Sequence, residues 1–268
     1  QNVTKSIRKI SEWFDHDTQQ GGHAIDFVRM HDGCSFQEAV AKLLGGEQGQ
    51  TFRSASERNA EPQKLFALPL PHHNMRRVYA YLMKQRHIDR DIITHFARAG
   101  TLYEDAKYHN AVFVGTDEHG VSRHAQKRST NSQGKSFKLN VAGSDARYSF
   151  HHLGDDGDLY VFEAPIDLLS YITLHPENWQ QHSYVACCGT SYEPVRWILT
   201  RMEAPQMVSL CLDHDNAGDQ GCERMAKQIS SEFGFPTRRL VPEQKDWNED
   251  LCALREAPRR QRMEMEMR

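Results

Sequence analysis

The sequence predicts an α/β protein, with a small parallel sheet covered by helices in its C-terminal part. An α+β segment and a short helical segment precede this sheet. After about residue 153, short continuous apolar runs alternate with helical patterns, which is typical of parallel strands that are buried on both faces. The length of 268 residues exceeds that of one typical domain. We therefore expect more than one compact unit.

The first segment is predicted to be helical and to end in a linker. Ser35 and Glu38 have the spacing of a capping box in front of apolar residues at helical intervals. Gly45–Gly46 is expected to end this helix. Residues 47–64 show no apolar period and are predicted to form a linker that ends near residue 70.

The second segment mixes helices and strands. Two helical patterns contain Val78–Leu82 and Ile88–Phe96, and the second is expected to end at Gly100. Residues 111–114 and 121–127 are predicted to form the two strands of a hairpin around a turn at residues 117–120.

The third segment supplies the parallel sheet. The predicted strands are Leu159–Phe162, Tyr184–Cys188, Met207–Leu212 and Arg239–Val241, and the predicted helices begin at Ile166, Glu193 and Gly218. The complete predicted organisation is residues 1–46, a linker over 47–70, an α+β subdomain over 71–152, the sheet domain over 153–256, and a tail over 257–268.

Charge is divided unevenly along the chain. The net charge is -3, but residues 1–150 carry 21 Lys and Arg against 16 Asp and Glu, whereas residues 151–268 carry 12 against 20. A basic half followed by an acidic half is what a polyanion-binding surface beside a cation-binding carboxylate cluster would produce. Ordinary scatter of surface charge is the alternative.

Composition disfavours membrane insertion and secretion. No apolar run approaches the roughly 18 residues that cross a bilayer, and the first residues lack an apolar signal core. The six cysteines show no CxxC spacing, so we expect reduced thiols and a cytoplasmic location without membrane contact. Because the chain starts at Gln1, we expect it to be part of a longer protein.

Carboxylates follow the predicted strands where a parallel sheet binds its ligands. Glu163 directly follows the first strand, Asp167 lies on the next helical turn, and Asp213 and Asp215 follow the third strand. Asp246 follows the last one. Ligands of such sheets bind beyond the carboxyl ends of the strands, and oxygen-only ligands suit Mg²⁺ or Mn²⁺. A solvated turn is the alternative for a lone DxD, but three acidic clusters at consecutive strand ends favour a metal site.

Four motifs in this segment resemble those of Toprim domains. In order, they are Phe162–Asp167, Cys188–Thr190, Leu212–Gly218 and Lys245–Asn248. The first is similar to the Toprim glutamate motif and the third to the DxD motif, while the second and fourth resemble the Gly-Thr and Lys-Asp motifs of bacterial primases. Ala164 stands where many Toprim domains have glycine, which is a mild change.

The upstream segments resemble bacterial replicative primases. Residues from Ala80 to Gly100 and from Val112 to Arg128 are similar to the basic half of the primase catalytic core, and residues 138–150 extend the match more weakly. The whole order of motifs resembles the primase-like Toprim proteins of plasmids and integrative elements.

The N-terminal segment is similar to the tail of the CHC-type zinc finger of primases. Gly21–Val28 and Ser35–Val40 carry this likeness, but Asp15 and Thr18 stand where the finger has its Cys-x-x-Cys pair. The resemblance therefore implies a degenerate finger, and no zinc is expected because a tetrahedral structural site needs those thiolates.

The resemblance implies a primase-like nucleotidyltransferase that makes short primers on single-stranded DNA from nucleoside triphosphates, with Mg²⁺ or Mn²⁺. A helicase or a relaxase is the implied protein partner. It assigns catalysis to Glu163, Asp213 and Asp215, metal binding to these three with Asp167 and Asp246 in support, and contact with nucleotide or nucleic acid to Arg128, Lys135, Lys138 and Lys245.

Two other functions remain open from the sequence. A Toprim nuclease would use the same carboxylates to cleave DNA, and a non-catalytic DNA-binding module of a mobilisation or replication complex would need only the basic surface. For Arg128, Lys135 and Lys138, a solvated hairpin face explains the residues equally well.

Overall fold

The computed structural model describes residues 12–15, 20–43, 65–131, 136–202 and 205–266. The chain divides into two compact units, residues 1–61 and residues 62–268. None of the helices in these described ranges combines the length and the apolar composition needed to traverse a lipid bilayer.

The first unit contains a hairpin and two helices. Its elements are β1 (Glu12–Asp15), β2 (Gln20–His23), α1 (Ala24–Asp32) and α2 (Phe36–Leu43). The predicted capping box is confirmed, because the backbone N–H of Ser35 donates to Glu38 Oε2 at 2.8 Å and the N–H of Glu38 donates to Ser35 Oγ at 3.4 Å. These bonds satisfy N–H groups that the first helical turn leaves unpaired.

Several expectations for the N-terminal segment fall on residues that the structure does not describe. Thr18, Gly45–Gly46 and the linker residues 47–64 lie outside the described ranges. Asp15 is the last residue of β1. The degenerate zinc finger therefore stays a prediction.

The first part of the second unit is α+β, as the sequence predicts. Its elements are α3 (Arg76–Lys84), α4 (Arg90–Arg98), β3 (Leu102–Glu104), β4 (Ala111–Thr116), β5 (Ser122–Arg128) and β6 (Lys138–Asn140). The strands form an antiparallel sheet in the order β3-β4-β5-β6. Both helices and the β4–β5 hairpin match the prediction, whereas β3 and β6 were not predicted because three residues carry too little periodicity.

The second part contains the predicted parallel sheet. Its elements are β7 (His151–His152), β8 (Asp158–Phe162), α5 (Pro165–Leu174), β9 (Ser183–Ala186), α6 (Glu193–Leu199), β10 (Met207–Leu210), α7 (Asn216–Phe233), β11 (Thr237–Arg239) and α8 (Trp247–Glu266). The strand order is β11-β10-β8-β9-β7. Strands β8, β9, β10 and β11 run parallel, and β7 adds an antiparallel edge.

Apolar side chains cover both faces of this sheet, so the predicted fold class is confirmed. Along β8, Leu159 and Val161 pack with residues of α6 and α7, while Tyr160 and Phe162 pack with α5 and α8. The same cluster as Tyr160 also takes in buried residues of α3 and α4. The antiparallel subdomain and the parallel sheet therefore share one core.

One close approach fixes β4 against the segment that leads into β7. A Cβ at Gly115 would lie 1.6 Å from the backbone oxygen of Tyr148 and 2.6 Å from that of Ser149. Such distances exclude any side chain. Glycine at this position therefore lets the two subdomains meet backbone to backbone.

Three predicted strands end earlier than expected. Strand β9 ends at Ala186, β10 at Leu210 and β11 at Arg239, each two residues before the predicted end. Beyond β9 the backbone turns sharply, since Cys188 has a φ of 56° and Gly189 has a φ of 142°. Cys187 and Cys211, which directly follow β9 and β10, are buried, and each still donates its backbone N–H to β8 at 2.8 Å.

Candidate active site

Four carboxylates line one cleft beyond the carboxyl ends of the parallel strands. Glu163 directly follows β8, Asp167 lies on the first turn of α5, Asp213 follows β10, and Asp246 precedes α8. All four border a cavity of about 180 Å³. The structure thus brings together four of the five carboxylates that the sequence proposes as metal ligands.

Burial and mutual repulsion raise the pKa of two of these groups. The pKa of Asp213 is raised to about 6, first by burial and then by the negative charges of Glu163, Asp246 and Asp215. The pKa of Asp167 lies well above its ordinary value because the side chain is buried and faces Asp246 and Asp213. The cleft therefore holds more negative charge than its protein surroundings neutralise.

Two of the proposed ligands also cap helices. Asp215 Oδ1 accepts a hydrogen bond from the backbone N–H of Gly218 at 2.9 Å, at the start of α7. Asp246 Oδ1 accepts from the N–H of Glu249 at 2.7 Å, in the first turn of α8. Asp215 is exposed and does not border the cavity. Its negative charge nevertheless contributes to the raised pKa of Asp213.

The loop that carries the DxD motif is fixed by contacts to its backbone. Arg239 of β11 donates to the carbonyl oxygens of Leu212 at 2.6 Å and Asp213 at 2.8 Å. The backbone N–H of His214 donates to the carbonyl oxygen of Lys245 at 2.8 Å. A Cβ at Gly218 would lie 2.0 Å from the carbonyl oxygen of Asp213. The carboxylate of Asp213 is therefore held on a rigid backbone.

Trp247 packs inside the protein. Its side chain is buried, its ring meets Tyr171 edge to face at 4.9 Å between centroids, and its Nε1 donates to the carbonyl oxygen of Cys211 at 2.8 Å. These contacts give Trp247 a packing role. The indole ties the start of α8 to the loop after β10.

Positive groups line the same cleft. Three of the predicted nucleotide contacts, Arg128, Lys138 and Lys245, border the cavity, and so does Arg86. Lys138 Nζ lies 3.5 Å from Glu163 Oε1. Lys135 lies outside the described residues.

The hydroxyl of Tyr81 binds the guanidinium groups of both Arg86 and Arg128. Its hydroxyl oxygen accepts from Arg86 Nε at 2.9 Å and from Arg128 Nε at 3.2 Å. Arg86 Nη1 also donates to Asn248 Oδ1 at 3.0 Å, and Asn248 Nδ2 donates to Ser170 Oγ at 2.9 Å. A buried network from α3 through α8 to α5 therefore orients two positive charges towards the carboxylates.

The donor set fits a divalent cation. Asp167 Oδ1 and Asp213 Oδ1 are buried and have no hydrogen-bond partner among the described residues. Unpartnered buried carboxylate oxygens are costly unless a cation or a proton compensates them. Hard oxygen ligands of this kind suit Mg²⁺ or Mn²⁺.

Two family descriptions match the chain. Residues 160–251 match the family described as Toprim-like, and residues 80–156 match a protein of unknown function, DUF3991. The chain therefore carries a Toprim-like domain, and the Toprim resemblance predicted from the four motifs is confirmed. The uncharacterized protein pXO2-78 of Bacillus anthracis is 27% identical over 264 residues, which cover 91% of this chain and 76% of that protein.

Solved structures of primases resemble the chain at low sequence identity. The primase fragment of the bacteriophage T7 primase-helicase protein is 18% identical, with a TM-score of 0.48 over 64% of this chain and 68% of that chain. The E. coli primase catalytic core is 15% identical, with a TM-score of 0.46 over 68% and 69%. The Aquifex aeolicus primase with zinc-binding and RNA polymerase domains is 16% identical, with a TM-score of 0.45 over 95% and 76%.

Sequence reasoning gave no role in the site to Arg86, Tyr81, Asn248 or Arg239. Arg86 and Asn248 are 162 residues apart in the chain, so no local spacing connects them. Tyr81 occupies an apolar position of α3 and is 3% exposed, which makes it look like an ordinary core residue. Their roles follow from tertiary contacts alone.

The raised pKa of Asp213 predicts an unusual pH dependence of stability. In the unfolded chain this carboxyl titrates near its ordinary value of 3.8, and in the folded protein at about 6. Between these values the folded state holds a proton that the unfolded state has lost, so stability falls as the pH rises through this window and stays lower above it. Without divalent cations, Asp213→Asn should melt at a higher temperature than the wild type at about pH 7.5, and the difference should shrink by about pH 5.

Thermal unfolding in chelator at several pH values measures this difference. Glu223→Gln, which removes an exposed carboxyl of α7 outside the cleft, is the matched control and should follow the wild type. A lower melting temperature of Asp213→Asn at neutral pH would show that this side chain stabilises the fold.

Proposed function

We propose that the chain is a primase-like nucleotidyltransferase that synthesises short primers on single-stranded DNA with Mg²⁺ or Mn²⁺. The observation that carries the proposal is the composition of the cleft. Carboxylates at the carboxyl ends of β8 and β10 face Arg86, Arg128 and Lys138 across a cavity of about 180 Å³. Nucleotidyl transfer needs both groups, because the triphosphate carries negative charge that must be positioned and neutralised.

The carboxylate wall would hold the divalent cations. Glu163 and Asp213 would be the main ligands, with Asp167 and Asp246 beside them and Asp215 contributing charge from the start of α7. When bound, the cations neutralise charge on the attacking and leaving oxygens. The shift in pKa of Asp167 and Asp213 supports this assignment, since perturbed carboxyls in a cleft are typical of functional sites.

The basic residues of the cleft, Arg86, Arg128 and Lys138, would bind the phosphates. Arg86 and Arg128 converge on the hydroxyl of Tyr81, and Arg86 also bonds Asn248. The N–H groups that bond neither of these residues would bind a phosphate with little loss of side-chain entropy. Lys138, which faces Glu163 at 3.5 Å, would exchange this carboxylate for a phosphate when cations bind. Lys245, which borders the same cavity, would bind the template. Lys135 is proposed as a further nucleic-acid contact from the sequence alone.

We also propose a protein partner, a helicase or a relaxase. One of the similar structures is a fragment of a primase-helicase protein. A primer is useful only where DNA is unwound or nicked, so a helicase or a relaxase would act beside this chain.

A Toprim nuclease is the second candidate function. The carboxylates that hold cations for nucleotidyl transfer would also serve phosphodiester cleavage, because both reactions stabilise negative charge on the same oxygens. The paired guanidinium groups favour synthesis, since they supply a site for a triphosphate beside the cations.

Primer synthesis is the direct test. With Mg²⁺ or Mn²⁺, a single-stranded template and labelled nucleoside triphosphates, the protein should produce short oligomers. Glu163→Gln should reduce this activity roughly 100-fold or more, because it removes a ligand of the cation that stabilises negative charge in the transition state. Glu223→Gln should leave it unchanged. Denaturing electrophoresis of the labelled products measures the reaction.

The same assay separates the alternatives. Cleavage of the template without incorporation, abolished by Glu163→Gln, would replace the proposal with the nuclease. If the protein shows neither activity but binds DNA in a salt-sensitive way, and Glu163→Gln does not change this binding, the chain is a DNA-binding module.

Tyr81→Phe tests the positioning of the two guanidinium groups. The hydroxyl is an acceptor for two charged donors, and such bonds contribute about 1.5–3 kcal/mol each. Its loss should raise KM for nucleoside triphosphates about tenfold or more and change kcat less, since the carboxylate wall is intact. Steady-state primer synthesis at varied triphosphate concentration measures both constants.

Tyr79→Phe is the matched control for this variant. Tyr79 lies on the same helix, and its hydroxyl bonds Thr94 Oγ1 at 2.9 Å, outside the cleft. Tyr79→Phe removes the same type of group, a hydroxyl, from the same helix and should keep the KM of the wild type. Equal KM values in the two variants would contradict the positioning role of Tyr81.

A further inference from the structure

Two histidines and a glutamate converge in the α+β subdomain, outside the cleft. His72 precedes α3, Glu104 ends β3, and His109 lies in the loop before β4. One ligand atom from each of the three side chains lies within 4.8 Å of the others. Glu104 Oε1 lies 2.6 Å from His109 Nδ1 and 3.8 Å from His72 Nδ1. The same carboxylate oxygen therefore faces both imidazoles.

Glu104 is fixed and almost fully buried. Its side chain is 1% exposed, and Oε2 accepts from the backbone N–H groups of Arg77 at 3.0 Å and Val78 at 3.2 Å. These bonds orient the carboxylate at the N-terminus of α3, where negative charge is favourable. With Oε2 committed to the helix, Oε1 is left to face the two imidazoles.

The two imidazoles leave the cluster open on one side. The side chains of His72 and His109 are 20% and 26% exposed. His72 Nδ1 also lies 3.0 Å from the carbonyl oxygen of Asn74 and 3.3 Å from its backbone N–H. These local contacts hold the ring near Glu104, while the exposed edges give an ion and a water ligand access.

We propose that His72, Glu104 and His109 form a binding site for a transition metal ion, with Zn²⁺ the best match in chemistry. Two imidazoles and one carboxylate, with a fourth position open to water, are a ligand set that Zn²⁺ takes in tetrahedral geometry. Bonds of about 2.0–2.1 Å place ligand atoms roughly 3.3 Å apart. The ion therefore replaces the hydrogen bond from His109 to Glu104 and the contacts of His72 Nδ1 with the backbone of Asn74, and the two rings open slightly to bind it.

The site would join three parts of the subdomain. It links the segment before α3, the end of β3 and the loop before β4 at the N-terminus of the helix that carries Tyr81. The sequence predicts no zinc because the N-terminal segment lacks two thiolates of a finger, whereas this cluster lies elsewhere and uses imidazoles. The proposal does not depend on the proposed enzymatic activity.

The second cluster of this kind among the described residues is a weaker candidate. Asp156, Asp158 and His182 also bring three ligand atoms within 4.8 Å. It offers one imidazole, and the ring of His182 pairs with the carboxylate of Asp156. Asp156 Oδ1 accepts from the backbone N–H of Asp158 at 3.0 Å, which explains the loop without an ion.

Cobalt absorption tests the site without an activity assay. The chelator-treated protein is titrated with Co²⁺ in excess Mg²⁺, which occupies the carboxylates of the cleft. Four-coordinate Co²⁺ absorbs visible light far more strongly than six-coordinate Co²⁺ in oxygen ligands. The wild type should develop this absorption with one equivalent of Co²⁺ and lose it when Zn²⁺ is added.

Three variants assign the absorption to the cluster. His72→Gln and His109→Asn should weaken Co²⁺ binding about 100-fold or more, because each removes a direct ligand. Asn is used at position 109 because the backbone there has a φ of 57°, which Asn tolerates. His73→Gln is the control, since the centroid of its ring lies 4.0 Å from that of His72 and the residue is not in the cluster.

The outcomes decide the proposal in either direction. Absorption in the wild type and in His73→Gln that disappears in the other two variants supports the site. No absorption in the wild type overturns it and leaves Glu104 as a helix cap paired with His109. Absorption that persists in His72→Gln and His109→Asn also overturns it, because the ion then binds elsewhere.

Discussion

Repulsion among carboxylates at the edge of the parallel sheet is the constraint on which the site depends. Asp167 is buried and Asp213 is half-buried beside Glu163 and Asp246, and burial together with this crowding raises the pKa of both. A fold tolerates such charge only where rigid surroundings hold it. Arg239, Trp247 and the close approach at Gly218 fix the backbone that carries Asp213, so the repulsion is not relieved by movement of the loop.

The α+β subdomain supplies positive side chains to the cleft that holds this negative charge. Strands β5 and β6 supply Arg128 and Lys138, and the turn after α3 supplies Arg86. Because the two subdomains share one apolar core and meet through Gly115, these cations are fixed relative to the sheet. The hydrogen bonds of Arg86 to Tyr81 and Asn248 tie the orientation of its guanidinium group to two residues that are packed in the shared core.

Features that follow from local pattern could be predicted from the sequence. Glu163 and Asp213 each follow an apolar strand, and parallel strands end at one edge, so their grouping in one cleft needs no further information. The convergence of Arg86 and Asn248 joins residues 162 positions apart and could not be predicted. The same holds for His72, Glu104 and His109, whose proximity depends on the pairing of β3, and for Asp215, whose capping role turns it away from the cavity.

Anomalous diffraction from crystals grown with Mn²⁺ would show directly whether the carboxylate cleft binds divalent cations. We expect anomalous density between the carboxylates of Glu163 and Asp213, and its loss in crystals of Glu163→Gln. Density confined to other acidic groups, such as Asp156 and Asp158, with none in the cleft, would show that the cleft is not a divalent-cation site.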